Sequence, residues 1–284
     1  MNYRHAFHAG NFADVLKHAV LALILKRLAA KDAAFFYLDT HAGAARYDLG
    51  GAQAARTGEA RDGILRLLAD GETHPCLRPY LGVVRTLNAA EPGWARYPGS
   101  PWIARKMTRP QDRLLLCELH PDALRDLRRA TAGDRRIEVR HVDGWGVLKS
   151  DLPPAERRGL VLIDPPFEAR DEYDRLARGL RHAHRRFATG VLAGWYPVKT
   201  RGAVDALHEA VLAAGIRRVL VAELLIRAPS AETDPAPRLS GCGLVIVNPP
   251  WTLAESLSDL LPLLAERLAQ GPGAAYRLEM LAGD

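Results

Sequence analysis

Seven short apolar runs alternate along the chain with longer segments whose apolar residues recur at helical spacing. The runs span Phe35–Asp39, Leu114–Glu118, Ile137–Val142, Leu160–Asp164, Gly190–Tyr196, Val219–Ile226 and Leu244–Asn248. The helical segments span Ala13–Leu28, Asp122–Ala130, Glu172–Phe187, Ala203–Ala214 and Leu253–Leu268. Residues 160–163 and 244–247 are apolar on both faces, which is typical of buried strands. The alternation predicts a doubly wound α/β sheet with functional sites at the carboxyl ends of its strands.

One connection between these runs is much longer than the others. About 75 residues separate the strand that ends at Asp39 from the strand that begins at Leu114, whereas a crossover between parallel strands needs only a dozen or more. The surplus lies at residues 50–97 and contains helical patterns at Glu59–Ala69 and Tyr80–Ala90. The sequence therefore predicts a small inserted helical subdomain.

The link between the last two strands, Arg227–Gly243, contains three prolines and no helical pattern. Without a crossover helix, these two strands are expected to pair antiparallel. Residues 1–284 then form a single domain with a seven-stranded, mostly parallel sheet whose last strand is antiparallel. An N-terminal arm and helix, residues 1–30, precede the sheet. This is the Rossmann-like architecture of class I S-adenosylmethionine-dependent methyltransferases.

The composition, with 48% hydrophobic and 25% charged residues, is that of a globular protein and excludes a disordered chain. The chain has 39 Lys and Arg residues against 33 Asp and Glu residues, and the net charge of +6 favours a polyanionic partner. The three cysteines are far apart, which indicates a reducing compartment. The most apolar early stretch is short and ends at Lys26 and Arg27, so we expect no membrane span and a cytoplasmic protein.

Two prolines follow a buried strand in the sequence Asp164-Pro165-Pro166-Phe167. They end the strand, remove two backbone donors and fix the turn. The Asp164 carboxylate, the Pro165 carbonyl and the Phe167 ring then converge at the strand's carboxyl end. Two acceptors and a ring suit the amino group of a planar base, which donates two N–H bonds while the base stacks on Phe167. The alternative is a structural turn closed by a core phenylalanine; the preceding strand and the following ring favour the functional interpretation.

The same pattern occurs a second time, in Asn248-Pro249-Pro250-Trp251. The strand before it is expected to run antiparallel, so its carboxyl end lies at the opposite edge of the sheet. We therefore predict a structural role for the second motif, with Trp251 packed or exposed, and assign the chemistry to Asp164.

Each of four predicted parallel strands ends in a carboxylate: Asp39, Glu118, Asp143 and Asp164. Glu118 has the position at which an acidic side chain binds two ribose hydroxyls, and Asp143 can accept a hydrogen bond from an adenine amino group. Gly144 allows a ligand to approach the backbone closely. Singly, each carboxylate could be an ordinary strand end, but their succession matches that of S-adenosylmethionine enzymes. The G-x-G-x-x-G fingerprint is absent, which counts against a nicotinamide oxidoreductase.

The amino-terminal segment is rich in polar and aromatic residues. Asn11 and Asp14 have the spacing of an N-cap that opens the first helix, and Lys17 and His18 follow within two turns. No Cys or carboxylate pattern completes a tetrahedral set with the nearby histidines, so no metal is predicted. We interpret the segment as a polar and aromatic lip over the substrate; the alternative is an arm that only caps the fold.

Nine stretches distributed over nearly the whole chain resemble the RlmJ family of 23S ribosomal RNA adenine-N6 methyltransferases. They are YRHAFHAGNFADVLKH (3–18), FYLDTHAGAARY (36–47), RTGE (56–59), YPGSP (97–101), ELHP (118–121), DGW (143–145), RRGLVLIDPPF (157–167), RFATGVLAGWYPV (186–198) and IVNPPW (246–251). The first of these stretches is unusually specific.

The resemblance implies a monomeric enzyme that uses S-adenosylmethionine to methylate one adenine of 23S rRNA. It implies a set of cofactor contacts at His18, His41, Ser100, Glu118, Asp143 and Gly144, with Lys17 close by. It also implies that Asp164 is the catalytic residue, with Pro165 and Phe167 beside it, and that Tyr3 contacts the RNA. The family's usual motif is D-P-P-Y, so Phe167 lacks one hydroxyl but keeps a ring on which a base can stack.

Two alternatives to this function remain open from the sequence. A DNA adenine methyltransferase would use the same chemistry, although no helix-turn-helix or other DNA-reading element is evident. A non-catalytic RNA-binding or assembly factor on a methyltransferase scaffold would bind no cofactor, and the complete set of strand-end carboxylates argues against it.

Overall fold

A central mixed sheet organises the chain, of which this computed structural model describes residues 5–69, 71, 74–90 and 93–283. The strands are β1 Phe36–Asp39, β2 Arg46–Asp48, β3 Arg96–Pro98, β4 Arg113–Cys117, β5 Ile137–Arg140, β6 Gly159–Ile163, β7 Val191–Val198, β8 Val219–Leu225, β9 Gly241–Val247 and β10 Ala275–Ala282. The helices are α1 Phe12–Ala29, α2 Ala52–Thr57, α3 Ile64–Ala69, α4 Arg78–Leu87, α5 Ser100–Met107, α6 Pro121–Thr131, α7 Gly144–Ser150, α8 Glu172–Arg186, α9 Arg201–Ala213 and α10 Leu253–Arg267. Short 3-10 helices cover His5–Phe7 and Glu59–Asp62.

The main sheet has the strand order β10-β8-β9-β7-β6-β1-β4-β5. The five strands from β7 to β5 are parallel, and β9 lies antiparallel between β7 and β8. This confirms the Rossmann-like methyltransferase architecture and the antiparallel pairing of the last two predicted strands. The predicted count of seven strands falls one short, because β10 adds an eighth at the edge, antiparallel to β8.

Helices cover both faces of the sheet, because neighbouring residues of each strand point to opposite sides. On one face, Tyr37 of β1 packs in a core with α1, α4, α5 and α10. On the other face, Phe36 and Leu38 pack in a second core with α7, α8 and α9. Burial of both faces explains why the central strands are continuously apolar. None of the described helices is long and apolar enough for a membrane span.

Strands β2 and β3 pair antiparallel at the two ends of the long connection after β1. The predicted helix Tyr80–Ala90 is α4, whereas the predicted helix Glu59–Ala69 is divided into a 3-10 helix and α3. The division is at Gly63, where a Cβ atom would lie 2.1 Å from the carbonyl oxygen of Gly10. Ile64 and Tyr80 of this connection belong to the same core as α1. The interpretation of residues 50–97 as an inserted subdomain stays a prediction.

The order of the sheet reverses between β1 and β6. In a doubly wound sheet, the connections on either side of such a point leave a crevice at the carboxyl ends of the strands. The chain that follows β1, β4, β5 and β6 converges at this edge, and α1 crosses beside it.

Candidate active site

A cleft of about 1280 Å³ opens at the carboxyl edge of the sheet. It is lined by all the sequence-predicted site residues that the structure describes: Lys17, His18, His41, Ser100, Glu118, Asp143, Gly144, Asp164, Pro165 and Phe167. The remaining one, Tyr3, lies outside the described residues. Pockets for small ligands have volumes of roughly 300–1000 Å³, so this cleft has room for a nucleoside cofactor together with part of a substrate.

Asp164 directly follows β6, and its side chain is 16% exposed at the wall of the cleft. The two prolines after it supply carbonyl acceptors and no backbone donors. Phe167 has a left-handed backbone, with φ of 49°, which is uncommon outside glycine and marks a constrained loop. Its ring makes T-shaped contacts with Tyr173 and Trp195, with centroids 4.9 and 5.7 Å away. Asp164, Pro165 and a supported aromatic ring at Phe167 therefore line the cleft together.

The second proline motif has a different environment. Asn248 also has a positive φ, of 51°, but its amide donates hydrogen bonds to the carbonyls of Ala188 and Gly190 at 2.7 and 2.9 Å. Trp251 is 72% exposed, and Arg27 lies 5.0 Å from its ring centroid. Because β9 is antiparallel to β7, this motif lies at the edge of the sheet away from the cleft. The Asn248 amide therefore ties the turn after β9 to the loop before β7, which is a structural role.

Lys17 connects two carboxylates from distant parts of the chain. Its Nζ lies 2.6 Å from Asp164 Oδ2 and 2.9 Å from Asp14 Oδ1. Burial alone would lower the pKa of Lys17, but the two carboxylates outweigh it and hold that pKa well above its usual value. The resemblance places Lys17 close to the cofactor. Lys17 lines the cleft, and its ammonium group is directed at Asp164, so it fixes the orientation of that carboxylate. Its closeness to the cofactor stays a prediction.

Asp14 is the buried partner that makes this arrangement possible. Its Oδ2 accepts hydrogen bonds from the backbone N–H of Gly10 and from His5 Nε2, each at 2.9 Å. Burial would raise the pKa of Asp14, but the neighbouring His5 and Lys17 lower it well below its usual value. The N-cap prediction is confirmed, because the Asn11 side chain accepts a hydrogen bond from the Asp14 N–H at 3.0 Å. The sequence pattern gave no indication of the second role of Asp14, as a counterion.

Asp39 differs from the other three strand-end carboxylates because it is fully buried beneath the cleft. Its Oδ2 accepts hydrogen bonds from the hydroxyls of Ser100 and Tyr37 at 2.7 and 2.9 Å. Burial raises the pKa of Asp39 to about 6 against the opposing effect of these hydrogen bonds. Ser100 lines the cleft as the first residue of α5, and Gly99 is the N-cap. A ligand therefore meets the Ser100 oxygen as an acceptor.

Glu118 joins two loops at the rim of the cleft. Its Oε2 accepts the backbone N–H of Gly43 and its Oε1 that of His120, both at 2.7 Å. Each carboxylate oxygen keeps a further lone pair, so the same side chain can also accept two hydroxyl groups from a ligand. The backbone bonds fix its orientation toward the cleft.

Asp143 follows β5 by three residues and caps α7, because its side chain accepts the Trp145 N–H at 3.1 Å. Gly144 is required by the fold itself. A Cβ atom there would lie 1.9 Å from the carbonyl oxygen of Thr40. The loop after β1 therefore packs directly on Gly144, which lines the cleft beside Asp143. The approach of a ligand to this glycine stays a prediction.

Two histidines on the cleft wall are held neutral by burial. Burial lowers the pKa of His18 to about 3 and that of His41 to about 4. His18 Nδ1 lies 2.8 Å from the hydroxyl of Tyr97, and His41 Nδ1 lies 2.8 Å from Thr40 Oγ1. Neutral imidazoles can bind a cationic ligand without repelling it. Over the part of the chain described, no group of three or more His, Cys, Asp or Glu side chains could hold a metal ion.

Several cleft residues went unrecognised in the sequence. Trp145 makes a T-shaped contact with His41 at 5.4 Å, and the Arg175 guanidinium lies 5.2 Å from the Trp145 centroid. Trp195 supports Phe167 from β7. The only indication was that Trp145 follows Asp143-Gly144 and that Trp195 lies near the end of an apolar run. Such positions are also common for core tryptophans.

The chain matches one family of known proteins over nearly its whole length. The family model described as Ribosomal RNA large subunit methyltransferase D, RlmJ, matches residues 32–281. A relative from Haemophilus influenzae, called Ribosomal RNA large subunit methyltransferase J, is 42% identical over 100% of both chains. One of the same name from Escherichia coli is 44% identical over 94% of each. A crystal structure from Legionella pneumophila is 34% identical, with a TM-score of 0.86 over 96% of this chain and 98% of that one. The chain therefore belongs to the RlmJ family of ribosomal RNA large subunit methyltransferases.

Proposed function

We propose that this protein methylates the N6 amino group of a specific adenine in 23S ribosomal RNA. The observation that carries the proposal is the Asp164 carboxylate, which lies on the cleft wall with Pro165 and Phe167 and is held there by Lys17. The family membership supports the reaction class and the rRNA substrate. The chemistry of the wall supports the choice of an exocyclic amine on a flipped base.

S-adenosylmethionine is the methyl donor of this family and fold, and when bound it supplies an electrophilic methyl group on a positively charged sulfur. The residues of the cleft fit such a group. Glu118 has lone pairs left for two ribose hydroxyls, and Asp143 has an oxygen left for an adenine amino group. His41, Ser100 and Gly144 line the same cleft, and His18 presents a neutral ring. We assign these six residues to the cofactor.

Asp164 acts on the target amine through its free oxygen. Lys17 occupies Oδ2, so Oδ1 and the Pro165 carbonyl are the two acceptors that can receive the N–H bonds of N6. The lone pair of an adenine amine is delocalised into the ring, which makes it a weak nucleophile. Two acceptors that hold both hydrogens fix the amine in the orientation needed for attack, and positioning of this kind can contribute roughly 7–11 kcal/mol to the rate.

Phe167 provides the surface on which the flipped adenine stacks. Tyr173 and Trp195 support its ring from the protein side, so the ring keeps its orientation without substrate. The missing tyrosine hydroxyl leaves this contact intact. We assign Tyr3, which lies outside the described residues, to contact with the RNA.

Methylation of a defined nucleic acid tests the proposal. The wild-type protein is incubated with labelled S-adenosylmethionine and either a 23S rRNA transcript lacking modification or duplex DNA, and the nucleosides are identified by mass spectrometry. We expect N6-methyladenosine from the transcript and none from the DNA. Methyl groups on DNA adenine alone would support the DNA enzyme instead. Absence of both transfer and cofactor binding would support a non-catalytic factor.

A further inference from the structure

Helix α8 carries a row of exposed arginines that the cleft does not use. Arg178, Arg181 and Arg185 are exposed, and their spacing of three and four residues places them on one face of the helix. The helix begins at the loop that carries Phe167. Its first turns contribute Glu172 and Arg175 to the cleft.

A second helix adds to the positive charge of this face. Helix α7 packs closely on α8 at Gly179, where a Cβ atom would lie 2.6 Å from the Trp145 ring. Lys149, near the end of α7, is exposed. The pKa of His182 is lowered by burial and further by the charges of Lys149, Arg181 and Arg185. The cations of the two helices therefore form one cluster around His182.

These cations lack the close carboxylate partners that other arginines of the protein have. Arg113 lies 2.9 Å from Glu156, and Arg136 lies 2.8 Å from Asp134. By contrast, Arg181, Arg185 and Lys149 form no ion pair with any residue that the structure describes. Arg178 makes a longer contact of 3.3 Å with Asp171, and both of these side chains are about half exposed. Unpaired like charges repel one another unless an anion lies between them.

The cluster is continuous with the cleft. Arg175 lies over the Trp145 ring at the rim, and the ten residues from there to Arg185 rise about 15 Å along the helix. A strand with a phosphate every few ångströms could follow this line outward from the cleft. Arginine binds phosphate bidentately and so suits such a line of contacts.

We propose that the α8 basic face, defined as Arg178, Arg181 and Arg185 of α8 with Lys149 of α7, binds backbone phosphates of the rRNA strand next to the target adenine. The inference rests on the proposed function, since it assumes that the nucleotide in the cleft belongs to RNA. It goes further by assigning a second binding region, outside the cleft, whose contacts are independent of base identity.

The test compares two double variants that remove the same charge. Arg181→Gln/Arg185→Gln alters the α8 basic face. Arg135→Gln/Arg217→Gln alters exposed arginines in the turns before β5 and β8, which are not part of the α8 basic face. Binding of a 23S rRNA transcript is measured between 50 and 200 mM salt, together with kcat and KM for methylation. Thermal unfolding of both variants is measured as a control for folding.

For the α8 variant we expect the slope of log affinity against log salt to become shallower by about 1.5, because two phosphate contacts are lost. We expect KM for the transcript to rise about tenfold, with kcat within about twofold of wild type. The control variant keeps the wild-type slope and KM.

If both variants change equally, or neither changes, the inference is overturned. The same holds if the α8 variant binds naked transcript normally and fails only on assembled particles, since the face would then contact protein. If the wild type itself transfers no methyl group, the proposed function fails, and the salt slope still tests the face separately.

Discussion

The rings of Tyr173 and Trp195 hold the ring of Phe167 in place without substrate. Loss of the Phe167 ring should therefore weaken mainly the stacking of the substrate base. Stacking of a base on an aromatic side chain contributes about 1–3 kcal/mol. We expect Phe167→Ala to lower kcat/KM for the transcript by about tenfold or more, and Phe167→Tyr to stay within about threefold of wild type. Steady-state kinetics check both values.

Trp251 provides a matched control, because it occupies the same position in the second proline motif. Trp251→Ala is expected to leave kcat/KM unchanged. A tenfold gain for Phe167→Tyr, or full activity of Phe167→Ala, would show that the stacking assignment is wrong.

His18 makes stability depend on pH. Its pKa is about 3 in the folded protein and 6.5 as an ordinary side chain, so only the unfolded chain gains a proton between these values. His18 therefore does not reduce the free energy of unfolding above pH 6.5, and it reduces this free energy progressively as the pH falls below 6.5. Burial causes the effect, so replacing the ring by an amide should remove it.

We therefore expect that lowering the pH from 7 to 5.5 reduces the free energy of unfolding of the wild type by about 1 kcal/mol more than that of His18→Gln. Urea unfolding at the two pH values measures this difference. An identical difference at both values would mean that His18 is not held neutral. The comparison isolates His18 from other titrating groups, including Asp39, whose pKa is shifted in the opposite direction.

The site residues that could be predicted from the sequence are those that the neighbouring sequence alone makes recognisable. Asp164 precedes two prolines after a buried strand, and Glu118 directly follows another strand. Asp14 could not be found in this way. Its role depends on Lys17 and on Asp164, which lies 147 residues beyond that lysine. The roles of Lys17 and Asp14 depend on contacts that exist only in the folded chain.

At the scale of elements, the docking of α7 on the loop after β1 depends on the absence of a side chain at Gly144. A methyl group there would meet the Thr40 carbonyl at 1.9 Å. We expect Gly144→Ala to lower the free energy of unfolding by about 1–3 kcal/mol or more, because the backbone must move. We also expect weaker binding of S-adenosylmethionine, because Asp143 moves with α7. Chemical denaturation and calorimetry measure the two effects.

Gly146 is the control within the same helix, since a Cβ atom there meets nothing within 4 Å. Gly146→Ala is expected to be neutral or to stabilise the protein by about 0.5–1 kcal/mol. Equal effects of the two substitutions would contradict the account of α7 docking.

Elements that the sequence missed lie at the edge of the sheet or are very short. No position of strand β10 is buried, because the strand lies at the edge of the sheet, so its apolar pattern is weak. The six-residue α2 is too short to show helical periodicity. The buried central strands and the long helices were predicted because their environment requires apolar residues at regular spacing.

At the scale of the whole molecule, the fold brings together groups that the chain keeps far apart. Residues from α1 and from the ends of β1, β4, β5 and β6 meet around one cleft. The reversal of strand order between β1 and β6 creates this meeting point. On one wall the carboxylate of Asp164 is fixed by Lys17; on another, Glu118 is fixed by two backbone N–H groups. We therefore propose that the wall at Asp164 binds the substrate and the wall at Glu118 binds the cofactor.

The separation of these two walls is tested most directly by measuring single-turnover methylation and S-adenosylmethionine affinity for Asp164→Ala and Glu118→Ala side by side. We predict that Asp164→Ala loses turnover of the transcript while its affinity for the cofactor stays within about threefold of wild type, since the proposed contact of Asp164 is with the amine. Glu118→Ala should chiefly weaken cofactor binding and recover much of its turnover at saturating cofactor. Wild-type turnover in Asp164→Ala would contradict the central claim that this carboxylate holds the adenine amine.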